Sequence, residues 1–205
     1  MALSKAETKT LLQLLEEVPD HRKGNAIKYS LRDVLFLGIF AILCGAETYT
    51  GMSTFAELHL DELRKYLELP KGVPSHDVFG DIFSRVDKNA VSKCFLLFVE
   101  TIRMEEGGDY VVSLEGKTVR RSANGEHRAF HIETAYLSDL EIVLGQVEIE
   151  DMGHAAVIIN MFRKLCMQML KADTSVKDSL SGKRQRCAWS FDYAMNVVKQ
   201  WALDS

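Results

Sequence analysis

The sequence has no excess of positive charge. Its 205 residues carry a formal net charge of −4 and a pI near 5.9. Blanket, sequence-independent attraction of the whole molecule to nucleic acid is therefore excluded, while local basic patches are not. Paired cysteines are also missing. Cys44, Cys94, Cys166 and Cys187 stand far apart with no Cys-x-x-Cys spacing, which predicts buried free thiols in a reducing compartment rather than a disulfide framework. The apolar run at 34–46 is too short to span a bilayer and reads as a buried helix. Residues 1–20 form a charged amphipathic pattern rather than a signal peptide. A cytoplasmic protein without a membrane partner is expected.

Several catalytic signatures are absent as well. The six histidines (His21, His59, His76, His127, His131 and His154) show no His-x-x-x-His or His-Glu-x-x-His spacing, so no zinc site is indicated. There is no Gly-x-Ser-x-Gly nucleophile elbow. Gly116-Lys117-Thr118 lacks the upstream glycine of a P-loop, because Val111 and its neighbours read as strand. No internal repeat or low-complexity segment breaks the chain.

What is present is a 47% hydrophobic composition, enough for a core in one large domain or two small ones. Leu11, Leu12, Leu14, Leu15 and Val18 make a helical face stopped by Pro19. Ser30 is a plausible cap for a helix ending at Gly45, apolar nearly all round and hence central. Ser53 can cap a further helix, Pro74-Ser75-His76-Asp77 opens another, and Asp87 precedes a strongly amphipathic one. At Gly107-Gly108 the period changes to runs rich in valine, isoleucine and aromatics. Three strands in an antiparallel meander are expected there. Helical pattern returns at 154–171, a polar basic linker at 172–186 follows, and a last helix covers 191–203. Three units result: a helical one over 1–106, a sheet over 107–151 and C-terminal helices over 152–205, an α+β chain.

One stretch of that chain carries candidate chemistry. Residues 109–122 form an apolar strand ending in Glu115 and a basic turn. A strand-end carboxylate can hold one of two divalent metals, but it needs further acidic partners converging from elsewhere. Glu133, Glu148, Glu150 and Asp151 are the candidate partners, and acidic strand ends are commonly just solvated. Lys117, Arg120 and Arg121 form one basic cluster. Lys183, Arg184 and Arg186 form another, with Trp189 and Tyr193 beside it. Phosphate contact with adjacent stacking would suit the second cluster, and so would a plain solvated face.

Several segments together resemble the H-repeat-associated transposases, the insertion-sequence family found beside Rhs elements. They are Pro19-Asp20-His21-Arg22 with Lys28-Tyr29-Ser30-Leu31, residues 37–45, and Gly72-Val73-Pro74-Ser75-His76-Asp77-Val78-Phe79-Gly80. Glu115-Gly116-Lys117-Thr118-x-Arg120-x-Ser122 is similar to the family's Asp-Gly-Lys-Thr-x-Arg-x-Ser, and 143–147 to its next strand. Gly153-His154-Ala155, Asp173-x-Ser175-x-Lys177 and Gly182-Lys183-Arg184 resemble its last helices. The resemblance implies a helical transposase-associated domain, an RNase H-like core and metal-dependent DNA strand cleavage and transfer using Mg or Mn. It places Glu115 at the family's first catalytic aspartate.

Two departures stand against activity. The extra methylene of Glu115 shifts its oxygens, and a misplacement of about 1 Å can cost on the order of a hundredfold in rate. The interval that would hold the remaining carboxylates is missing, since 148–151 runs straight into Gly153. The resemblance thus implies an internally deleted chain with a truncated RNase H-like three-stranded sheet, no turnover and no functional metal. DNA, a second copy or a full-length relative are its expected partners. A DNA-binding or regulatory remnant and a protein-interaction module without nucleic acid remain the alternatives.

Overall fold

Helix α2 (Leu31–Leu43) organises the molecule. Every one of its residues except Arg32 is buried, as expected of a helix without a polar face. Ser30 caps it by accepting from the Asp33 backbone N–H at 3.0 Å. Its C-terminus closes on Gly45, whose φ of +97° suits only glycine. The Gly45 N–H donates to the Ile42 carbonyl and the Ala46 N–H to that of Ala41, at 3.0 and 2.8 Å, so two otherwise orphaned carbonyls are satisfied.

The computed structural model describes residues 10–23, 27–106, 112–118, 131–137, 142–148 and 153–202. Helix α1 (Leu11–Glu16) starts on a reciprocal cap between Thr10 and Gln13 and lies against α2. Helix α3 (Tyr49–Leu58) and the short α4 (Leu60–Leu63) follow. Thr48, rather than Ser53, caps α3, and Ser53 is buried mid-helix with its hydroxyl donating to the Pro74 carbonyl at 3.0 Å. Helices α5 (His76–Arg85) and α6 (Lys88–Glu106) start at the predicted positions. Asp87 accepts from the backbone of Asn89 and Ala90 at 2.9 and 3.2 Å.

Helix α7 (His154–Ala172) returns and packs on α2, α5 and α6. The expected basic linker at 172–186 is partly a helix, α8 (Leu180–Trp189), capped by Ser179. It escaped the periodicity because its buried face consists of Cys187 and a lysine. Helix α9 (Phe191–Ala202) completes the core, which joins residues from α1 through α9 in one cluster.

Between α6 and α7 lie β1 (Val112–Thr118), β2 (His131–Leu137) and β3 (Ile142–Glu148), paired antiparallel in sequence order with a register shift at Ala135/Tyr136. The expected α+β class with a truncated RNase H-like sheet is overturned, because the described fold is helical. Its described core is drawn from helices and their turns, and the small meander shows nothing that marks it as RNase H-like. The reason is physical. The RNase H-like label rests on the family resemblance, and runs of valine and isoleucine report only a locally extended backbone, not the layers a sheet packs into. Helices α2, α5, α7 and α9 bury their apolar faces on one another and set the class without it.

Gly38 lies where α2 meets α5. A Cβ there would stand 2.5 Å from the Phe83 ring, and that ring is held edge-on by Tyr49, Phe79 and Phe162. Gly38→Ala gains about 1 kcal/mol of helix propensity, but overpacking costs about 1–3 kcal/mol against a ring that cannot retreat. A net loss of stability is expected in a denaturant titration. Combining it with Phe83→Leu should cost less than the two single changes added. Strict additivity would show that the two positions do not interact.

Candidate nucleic-acid interface

The segment between α1 and α2 is knitted by its own side chains. Arg22 donates to both carboxylate oxygens of Asp20, at 2.9 and 2.7 Å, and to the Tyr29 carbonyl at 3.0 Å. That guanidinium holds the Asp20 carboxyl below the ordinary carboxylate range. The Tyr29 hydroxyl donates to the Val73 carbonyl at 2.8 Å, tying the segment to the turn ahead of α5. Two of the sequence segments that carried the family resemblance, near 20–30 and 72–80, are thus brought into contact. Neither spacing nor periodicity announced this.

A cleft of about 640 Å3 separates this segment from α5. His21, Arg22, Lys23, Lys28 and Arg85 border it, together with Asp77 and Asp81. Asp20 is occupied by Arg22, Asp81 by Arg85 at 2.9 Å, and Asp77 lies 3.3 Å from His76. Lys23 and Lys28 remain as exposed cations, so the cleft is locally positive in a chain of net charge −4. A pocket of about 130 Å3 adjoins it, sharing His21, Arg22, Asp81, Ile82 and Arg85 with the cleft and adding the apolar Pro19, Leu31 and Val86 beside Asp20.

The site residues expected from the sequence are distributed differently. Glu115 and Lys117 lie on β1, where the register sets Glu115 opposite Thr134, itself opposite Gln146. Glu133 stands in the neighbouring row with Gly116 and Val147. This pairing gives Glu115 no acidic row-mate on the described strands. Arg120 and Arg121 lie outside the described residues, as do Glu150 and Asp151.

Lys183 is buried, and its ammonium donates to the carbonyls of Leu170 (3.0 Å) and Asp173. Arg184 and Arg186 are about half-exposed, paired with Glu47 at 3.8 Å and Asp178 at 2.9 Å. Trp189 is 77% exposed, whereas Tyr193 turns inward to Asp173.

Asp173 itself was missed as a structural hub. It is buried beneath Ser175, Tyr193 and Lys183, and its Oδ1 accepts the Ser175 backbone N–H at 3.0 Å. The Asp-x-Ser spacing was the available signal, since Asp commonly folds back on the backbone two residues on. All four cysteines are free, as expected, and burial pushes their thiols up, Cys94 and Cys187 to about 12.

Comparison with known proteins shows what this architecture belongs to. Residues 12–99, which hold both cleft walls, match the DDE_Tnp_1-associated family model. The Escherichia coli K12 protein named inactive transposase YbfQ is 34% identical over 79 residues, and the chain covers 94% of it. The chain belongs to the H repeat-associated transposase family. Another relative from the same organism, H repeat-associated putative transposase YhhI, is 28% identical over 75% of the chain and 41% of its own length. Putative protein YbfL is 30% identical over 69% of the chain and 38% of its own length. The chain therefore spans about two fifths of these longer family members. No solved structure matches it. Among the described residues no helix is long and apolar enough to cross a membrane.

Proposed function

We propose that this transposase-related chain is a catalytically incomplete family member that engages mobile-element DNA through its helical body, in the cytoplasm. One observation carries the reading: signature segments some forty residues apart line a single cleft with a surplus of exposed lysines. Lys and Arg on such a wall gain affinity by releasing phosphate counterions, which makes binding steeply salt-dependent.

The absence of turnover is inferred from three things. Glu115 stands where the family resemblance calls for aspartate, the interval for the other carboxylates is missing, and the relative YbfQ is named inactive. Two-metal transfer with Mg or Mn needs several converging carboxylates, and no acidic residue stands opposite Glu115 in its register row.

Fluorescence anisotropy with duplexes carrying element ends tests this. Affinity should fall markedly between about 50 and 200 mM salt. Lys23→Ala and Lys28→Ala should each weaken binding and lower the salt slope by about 1. No affinity at low salt would remove the DNA reading. Strand cleavage with Mg or Mn, abolished by Glu115→Ala, would remove the claim of incompleteness.

A further inference from the structure

We infer that the pocket adjoining the cleft takes the base of one unpaired nucleotide, so that the cleft selects single-stranded or frayed DNA over intact duplex. This rests on the DNA reading above and deepens it. The walls are apolar, formed by Pro19, Leu31, Ile82 and Val86. The volume is about 130 Å3, and an apolar cavity of about 150 Å3 accepts benzene. One six-membered ring is thus the scale of occupant the pocket suits.

The rim is chemically suited to a base rather than to a purely apolar group. Asp20 and Asp81 border the pocket, each engaged by an arginine through a known pairing. An ionised carboxylate has about four lone-pair sites, so each retains capacity to accept from an exocyclic amino group. Arg85 and His21 are exposed at the same mouth, and Lys23 and Lys28 continue along the cleft, where the flanking phosphates would run.

An aromatic side chain of a protein would also fill a ring-sized pocket. The surplus of cations along the adjoining cleft, in an otherwise acidic chain, favours a polyanion instead. Selection for unpaired strands follows from geometry. A duplex keeps its rings stacked inside, and extruding one has an unstacking cost that a single strand largely avoids.

The test uses the full chain at low salt with a labelled pyrimidine-rich strand, the same strand annealed to its complement, and the same backbone with abasic sites. The intact single strand should bind tighter than the other two by roughly tenfold, the scale of one buried base. Ile82→Trp, which fills the pocket, should erase that preference while duplex binding persists. A fluorescent pyrimidine analogue in the strand provides a readout independent of any variant, since its emission should rise as its base leaves the stack.

Equal affinity for all three ligands, or unchanged emission on binding, overturns the pocket assignment and leaves DNA binding standing. Absence of binding to every oligonucleotide removes both. A tryptophan-containing acidic peptide that binds while no oligonucleotide does would assign the pocket to a protein and overturn the proposal.

Discussion

Truncating Phe40 to alanine should lower the free energy of unfolding by about 3–5 kcal/mol, and the loss should register in the C-terminal helices as strongly as in the N-terminal ones. Phe40 is fully buried on α2. Its ring centroid lies 6.1 Å from Phe36, 5.3 Å from Phe55 on α3 and 5.3 Å from Phe191 at the start of α9. It therefore joins chain segments on either side of the strands. Alanine would remove the ring from all three contacts at once, and the surrounding helices, each pinned by other core residues, can collapse only partly into the space.

The two tryptophans, Trp189 and Trp201, both belong to the C-terminal helices, so their fluorescence reports that segment while far-UV circular dichroism reports all the helices. Both signals should shift to the same lower denaturant midpoint. Phe40→Leu keeps much of the apolar volume and should cost less. A fluorescence transition that stays in place while the dichroism shifts would show that the C-terminal helices form a core of their own.

Elements whose local signals agree were legible in the sequence. Ser30, the apolar run behind it and Gly45 together announce α2, and Pro74-Ser75-His76 announces α5. Where a single signal stood alone, it misled. Ser53 is a good capping residue, yet Thr48 captures that role because α3 begins five residues earlier, and Ser53 is carried inside to meet Pro74. From sequence, helix α8 reads as a linker because a buried lysine looks polar to any hydrophobic pattern. Lys183 lies inside only because the carbonyls at the end of α7 meet its ammonium, a long-range fact that no window of sequence contains.

The same limit applies to the cleft and to the sheet. Arg22, Lys28 and Asp77 are visible as family signature residues, but their convergence on one cleft depends on Tyr29 reaching Val73 across 44 positions. The RNase H-like expectation rests on the resemblance of 115–122 and 143–147 to the family's strand segments, whereas the class of this fold is decided by how the helices cover one another.

Replacing Asp173 by alanine should cost about 3 kcal/mol, the scale for removing one partner of a buried ion pair. The Ser175 and Tyr193 hydroxyls donate to its two oxygens at 2.6 and 2.7 Å, and the Lys183 ammonium lies 3.9 Å away. Without the carboxylate, Lys183 remains buried with only main-chain carbonyls to meet its charge. Asp173→Asn keeps the shape and isolates the charge, so it should fall between alanine and the native residue.

The pH dependence separates this ion-pair account from simple loss of packing. Burial alone would raise the Asp173 pKa, but the Ser175 and Tyr193 hydrogen bonds and Lys183 outweigh it and hold the carboxyl below its ordinary value. A carboxyl depressed in the folded state stabilises above the unfolded value near about 4 and loses that contribution as the pH falls further. Tyr193 has the opposite sign. Burial, and then its bond to Asp173, raise its pKa, so its contribution is complete below about pH 10 and is lost as the pH rises.

Unfolding free energies measured across pH should therefore decline at both extremes in the native chain. In Asp173→Asn the acid decline should flatten, because the titrating group is gone. The alkaline decline should shrink without vanishing, because burial of Tyr193 persists when its charged acceptor does not. If Asp173→Asn lowered stability equally at every pH, the network would be holding the α7–α8 turn by shape alone, with no contribution from charge.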